Sequence, residues 1–326
     1  MQTPRRWSRL PAWVAALGFG LLWVAAPQTT LAQAAAAVTA PGEVLVGPDL
    51  SSRPHATASA PADSPGPVKR TISRPVWEAG LGMTALSLPD YRGADKSRSY
   101  LLPLPYLAYR GPRFSVDRGG LKAELLDRGR LEMDFSVNLS VPVRSDGNPA
   151  RAGMPSLRPA LEIGPQLLTD LWRSGDGRQK LQLQLPLRYA FVLSTSTRDA
   201  GFIFHPRLSL DLRDFAGYPG WHAGAIAGPM FATARQHDYF YTVAPQYATA
   251  GRPAYEAGGG YSGMQLTLSL SKRFARHWFG AFLRADWLGG AVFADSPLVQ
   301  RKTTVAAGFA FIWIFAESAE RVTRRD

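Results

Sequence analysis

Five histidines and a scatter of arginines and carboxylates are the residues of this chain with chemistry to offer; it has no cysteine. Without a thiol, thiolate metal sites, thiol nucleophiles and disulfide frameworks are excluded together. The histidines are His55, His205, His222, His237 and His277. An imidazole working as a general base must sit near a nucleophile and be oriented by a third group. His55 lies in a Pro-rich stretch and His277 in an expected turn. His237 has Asp238 beside it but no nucleophile signature nearby. His205 and His222 are expected on an inward-facing row. His222 falls near Arg213 in an expected hairpin, where a cation favours the neutral ring without orienting it. No Gly-x-Ser-x-Gly elbow, His-Glu-x-x-His pair or phosphate-cradling glycine loop occurs. The sequence therefore nominates no catalytic residue, no metal site and no cofactor.

The other charged residues are more informative. Glu132, Asp134, Glu162, Arg188, Arg207, Asp211, Arg213, Arg273, Arg284 and Asp286 fall on the polar rows of alternating stretches. Two readings stand open for them. Buried charges need partners, so they can pair with one another inside the fold. Alternatively, they form a charged constriction that tunes solute passage. The net charge is +12, yet the basic residues are mostly single arginines with no basic cluster, which argues against nucleic acid as a partner. The guanidinium fork matches phosphate, so lipopolysaccharide is a better counterpart.

The elements that would hold these residues begin with an export signal. Arg5, Arg6 and Arg9 precede an apolar core from Pro11 to Ala26, and Ala32-Gln33-Ala34 offers a cleavage site after Ala34. The rival reading is a membrane anchor, for which the core is short. Residues 35–74 are rich in Ala, Pro and Ser and lack periodicity, which predicts a flexible periplasmic segment. From Trp77 the period is two, the strand signal. Met264, Leu266, Leu268 and Leu270 oppose Gln265, Thr267, Ser269 and Ser271. Met133, Phe135 and Val137 oppose Asp134, Ser136 and Asn138.

A soluble β-sandwich would show the same alternation. The segments are longer than ordinary globular strands and long enough to cross a bilayer. Aromatics gather toward their ends (Trp77, Tyr100, Tyr109, Trp172, Tyr189, Trp221, Trp278, Trp287, Trp313, Phe315), as membrane-interface girdles require. The prediction is an all-β, transmembrane, antiparallel up-and-down β-barrel over residues 75–315, with a polar C-terminal tail at 316–326. Alternating long outer loops with short inner turns gives about twelve strands, with ten as the rival. Twelve requires two separate strands turning at Arg118–Gly120.

In the last expected strand, Val305, Ala307, Phe309, Phe311, Trp313 and Phe315 form one row. With Phe311, Trp313 and Phe315 at its end, it resembles the signal read by the barrel assembly machinery, although here a polar tail follows the final aromatic. Four further segments carry a family resemblance. They are Pro89-Asp90-Tyr91-Arg92-Gly93, Leu102-Pro103-Leu104-Pro105-Tyr106, Pro253-Ala254-Tyr255-Glu256-Ala257-Gly258-Gly259-Gly260 and Asp295-Ser296-Pro297-Leu298-Val299. In order and position they resemble the motifs of the MipA/OmpV family. The resemblance implies a protein of the bacterial cell outer membrane with no catalytic residues to carry over. It further implies a scaffold for peptidoglycan-remodelling enzymes, with a murein lytic transglycosylase and a peptidoglycan synthase as partners. The rival implication is a narrow porin-like solute channel. Read physically, the motif residues set loop architecture: Pro and Gly shape turns, and Asp295 and Ser296 bond local backbone.

Overall fold

The computed structural model describes residues 71–110, 114–117, 120–123, 126–128, 131–193 and 198–325. The expected signal peptide and residues 35–70 of the expected linker lie outside the described residues. The fold is one antiparallel sheet built from β2 (Trp77–Pro89), β3 (Ser97–Arg110), β4 (Phe114–Asp117), β5 (Gly120–Ala123), β6 (Leu126–Arg128), β7 (Leu131–Leu139), β8 (Ala160–Arg173) and β9 (Gln179–Val192). It continues through β10 (Arg198–Phe204), β11 (Arg207–Arg213), β12 (Trp221–Ala232), β13 (Gly260–Arg273), β14 (His277–Trp287) and β15 (Thr303–Glu317). Strands consecutive in the sequence pair with one another except β5 with β6 and β10 with β11, and β15 returns to pair with β2. The path ends at β5 and β6, and Cα atoms of β5 come within 8 Å of those of β7, which brings the two ends together as a closed barrel does. β10 and β11 both pair with β9 and β12. They are one crossing interrupted at His205-Pro206, where Pro206 has no amide to give the ladder. Taking β5 with β6 as a second interrupted crossing would give the expected twelve, but residues 124–125, which decide this, lie outside the described residues.

Burial identifies the solvent. In β13, Met264, Leu266 and Leu268 are exposed while Gln265 and Thr267 are buried. In β14, Asp286 is 0 % exposed and Trp287 beside it 64 %. The same inversion runs through β7, where Met133, Phe135 and Val137 are exposed and Asp134 and Ser136 are buried. A belt of exposed aliphatic and aromatic side chains is incompatible with water on that face and suits lipid. With 13 to 15 residues, β2, β8, β9, β13 and β15 are long enough to cross a bilayer at a tilt. Phe311, Trp313 and Phe315 of the expected assembly signal lie on this outer face.

The interior is less uniformly polar than the alternation predicts. On the β2–β3 and β14–β15 side, Tyr106, Trp278, Ile312 and Ile314 pack inward, and Leu86, Leu88 and Phe282 form a second apolar group. Trp278, expected in an interfacial girdle, is thus inside. Glycine makes the room: a Cβ on Gly308 would meet Phe282 Cε1 at 2.2 Å and Leu86 Cδ2 at 2.7 Å. The ends also differ from expectation. β1 (Thr71–Pro75) pairs antiparallel with β16 (Arg321–Arg325), so strand structure starts before Pro75 and the expected polar tail carries a strand. This two-stranded ribbon continues the β2–β15 seam beyond the barrel end that carries the short turns.

Candidate functional site

The connections at the opposite end are long, and they pack together. The β2–β3 loop supplies Tyr91 and Ala94, and the β7–β8 loop Val143 and Leu157. The β12–β13 loop gives Tyr241, Val243 and Ala257; the β14–β15 loop gives Leu288, Ala291, Phe293 and Leu298. All eleven are buried in one cluster. Its centre is a stack of Tyr241 on Phe293, with ring centroids 3.7 Å apart and planes at 9°. Tyr241 ends the helix α1 (Ala234–Tyr241), the one α-helix among the described residues.

Hydrogen bonds tie the loops to one another. Tyr91 Oη donates to Leu298 O (2.8 Å), Ser296 Oγ to Tyr241 O (2.7 Å) and Tyr241 Oη to Arg92 O (2.9 Å). Asp90 accepts from Arg98 Nε (2.6 Å) and Asn148 Nδ2 (2.8 Å), which joins the first two loops. Gly93, at φ +92°, accepts from the Gln300 and Arg301 amides; a Cβ there would meet Leu288 Cδ1 at 2.8 Å. Burial pushes the Tyr91 and Tyr241 phenols up and pulls the Arg151 guanidinium down. Arg151 stays useful there by donating to Phe240 O (3.0 Å) and lying over the Tyr91 ring.

Three of the four family-like motifs therefore meet in this cap although they are far apart in sequence. Pro89, Asp90, Tyr91 and Gly93 enter it from β2. Pro253, Tyr255 and Gly258 form the returning limb of the β12–β13 loop, where Tyr255 exchanges backbone hydrogen bonds with Val243 and Gly258 O contacts His237 Nδ1 at 2.6 Å. Ser296 and Pro297 turn the last loop, whereas Asp295 is exposed. The remaining motif lies in β3, where Tyr106 donates to Glu78. His237 also has Ser262 Oγ 2.7 Å from its Nε2. That Ser–His contact is one element of a hydrolase, but the other ring nitrogen faces a backbone carbonyl rather than an orienting carboxylate. It pins α1 to β13. Burial pulls the His237 imidazole below its ordinary value.

Beneath the cap lies a cavity of about 100 Å³ whose walls include Arg92, Arg188, His205, Gln236 and Arg284. Arg188 contacts Glu162 at 3.3 Å, while Arg92 and Arg284 each lie 2.9 Å from Asp286. Arg207 is buried and donates to Gln184 (2.8 Å). Asp134 is also buried, and Asp211 and Arg213 are half-buried lower in the barrel. Arg273, near the short-turn end, donates to Glu78 (2.6 Å). Glu132 departs from the expected interior set: it is exposed at the end of β7. The alternation did not nominate Glu78, Arg92, Asn148 or Arg151. Arg92 lies inside the first motif, which was the signal available for it. Among the described residues no three His, Asp or Glu side chains are grouped to hold a metal ion, and no helix is long and apolar enough to cross a membrane.

Lipid-facing apolar rows, a charged interior and packed loops over one mouth define the class: an outer-membrane β-barrel with a capped lumen. The profile of the family described as MltA-interacting protein MipA matches residues 81–315. This chain belongs to that family. No curated protein matches it. Among solved structures, it is similar to a bacterial polysaccharide outer membrane secretin at 10% identity, covering 73% of this chain and 99% of that one with a TM-score of 0.40. Outer membrane phospholipase A from Escherichia coli follows at 11%, 73%, 93% and 0.29. The P. putida toluene transporter TodX gives 11%, 79%, 70% and 0.24. Scores this low carry no argument; the class rests on the sheet, its inverted burial and the family.

Proposed function

We propose that this chain is a non-enzymatic scaffold or interaction protein of the outer membrane. It would hold peptidoglycan-remodelling enzymes, a lytic transglycosylase first and a peptidoglycan synthase second, at the periplasmic face. One observation carries this reading over a channel: four loops bury eleven residues in a single cluster across the outer mouth. The family's description, an MltA-interacting protein, supports the same partner class. The surface left for a periplasmic partner is the short-turn end with the ribbon of β1 and β16. Outer-membrane lipid and lipopolysaccharide would surround the barrel, and the assembly machinery would read its last strand.

The test is co-purification of a lytic transglycosylase in mild detergent, with the full chain and with a variant lacking residues 318–326. Retention by the full chain and a several-fold loss without the ribbon are expected. No retention by the full chain contradicts the proposal. The charged cavity favours the second reading, a narrow porin-like channel in which Arg188 and Arg284 line a constriction.

A further inference from the structure

The cavity under the cap has a surplus of donors. Its arginines are deeply placed: Arg188 is 4 % exposed, Arg284 2 %, and the Arg92 side chain 15 %. Two carboxylates face these three cations, Glu162 against Arg188 and Asp286 against Arg92 and Arg284. A third carboxylate at the wall, Asp90, is taken up by Arg98 and Asn148. Three positive groups against two negative ones leave one positive charge in this set.

The hydrogen-bond inventory points the same way. Arg92 spends Nε on Asp286 Oδ1 and Nη1 on Met230 Sδ, and its Nη2 is buried with no partner. Arg284 Nε lies 2.9 Å from Asp286 Oδ2 but is poorly angled for a hydrogen bond, and its Nη1 has no partner either. Unpartnered acceptors are present as well: Gln236 Oε1, Asp286 Oδ2 and His205 Nε2, whose ring gives its one N–H to Gly228 O; the unspent donors are those of Arg92, Arg188 and Arg284. Because Arg92 and Arg284 grip the same carboxylate, their free nitrogens belong to neighbouring heads at one wall of one cavity. Buried donors without acceptors are rare in folded proteins and cost stability. Water would satisfy the donors but not the unmatched charge.

An acceptor-only monoanion meets both needs, and paired guanidinium nitrogens suit a planar carboxylate. The same cavity also has apolar wall, with Ile203, Met230, Phe240 and Phe293 among its lining residues. We propose that this cavity binds a small organic acid. Its carboxylate sits against the Arg92 and Arg284 guanidinium groups, and its hydrocarbon body lies against Met230 and Phe240. The size of the space limits the ligand to a few heavy atoms, on the scale of cavities that accept benzene. The proposal stands apart from the scaffold reading and survives its failure, since it concerns the lumen rather than the periplasmic face.

Titration calorimetry and thermal unfolding of the detergent-purified full chain test it, with sodium acetate, pyruvate and benzoate as probes. Sodium chloride at equal ionic strength, inorganic phosphate and benzamide are the comparisons. Saturable binding of at least one carboxylate is expected, with an unfolding temperature that rises with its concentration. Arg92→Gln is expected to weaken binding about tenfold or more. Met230→Trp keeps every charge, fills the apolar side and is expected to abolish binding; it decides the matter should Arg92→Gln fail to fold. No saturable carboxylate binding, a response matched by chloride or benzamide, tighter binding of phosphate, or full affinity in Met230→Trp would each overturn the proposal.

Discussion

Asp286 shows how the charge inside this barrel is held. It is wholly buried, touches Arg92 and Arg284 at 2.9 Å and also accepts from Gln265 Nε2 at 2.9 Å. A buried pair is weak evidence for net stability, but removing one partner strands the other's charge. Asp286→Ala leaves two guanidinium groups with no counter-charge, one from a loop and one from β14. We expect a loss of about 3–5 kcal/mol, read as a lower urea midpoint for the conversion of the folded to the unfolded band on semi-native gels. The double variant Asp286→Leu with Arg284→Met should recover part of that loss, because it removes the buried charge together with its partner. A single variant as stable as the parent would show that these arginines do not depend on Asp286 for their counter-charge.

At the scale of elements, the cap is held through α1. His237 joins that helix to Gly258 O and to Ser262 Oγ, and burial keeps its imidazole neutral below its usual 6.5. Above about pH 6.5 packed and opened loops are both neutral at this residue, and the cap keeps its full stability. As the pH falls through 6.5 the opened loop takes a proton that the packed one refuses, so cap stability is lost progressively until the packed ring also charges. Hydrogen exchange of the 234–241 amides, corrected for intrinsic rate, should accelerate over that window in the parent and stay flat in His237→Gln. Exchange that is independent of pH in the parent would remove His237 from this role. The long strands were legible because one face meets lipid, and an apolar residue at every second position is then obligatory in β13 and β7. The helix was not: its eight residues, ARQHDYFY, are too few to establish a helical repeat, and two of the three it buries, Gln236 and His237, are polar. Period, not its place near a strand end, sets where Trp278 lies: it shares the row of Phe282, Arg284 and Asp286, which turns it inward. The convergence of three motifs on one cap was out of reach, since sequence order says nothing of which loops meet across a barrel mouth.

At the scale of the molecule, a barrel with lipid outside and charges inside could conduct, store a ligand or serve as an anchor, and the outer loops decide among these. Here they bury Tyr91, Val243, Leu288, Phe293 and Leu298 to within a few per cent of complete exclusion from solvent, a density proper to a folded core and not to mobile surface loops. Below them Arg92, Asp286 and Arg284 cross-brace the upper lumen, and at the short-turn end Trp278, Tyr106 and Ile312 fill part of the lower one. On the proposed reading, a barrel closed at its outer mouth leaves its periplasmic face as the working surface. Single-channel recording in planar bilayers tests this most directly. The closed account predicts no steady conductance from the intact protein and the appearance of ohmic steps once residues 234–257 are deleted and the cap core is lost. Steady ohmic steps from the intact protein would contradict it.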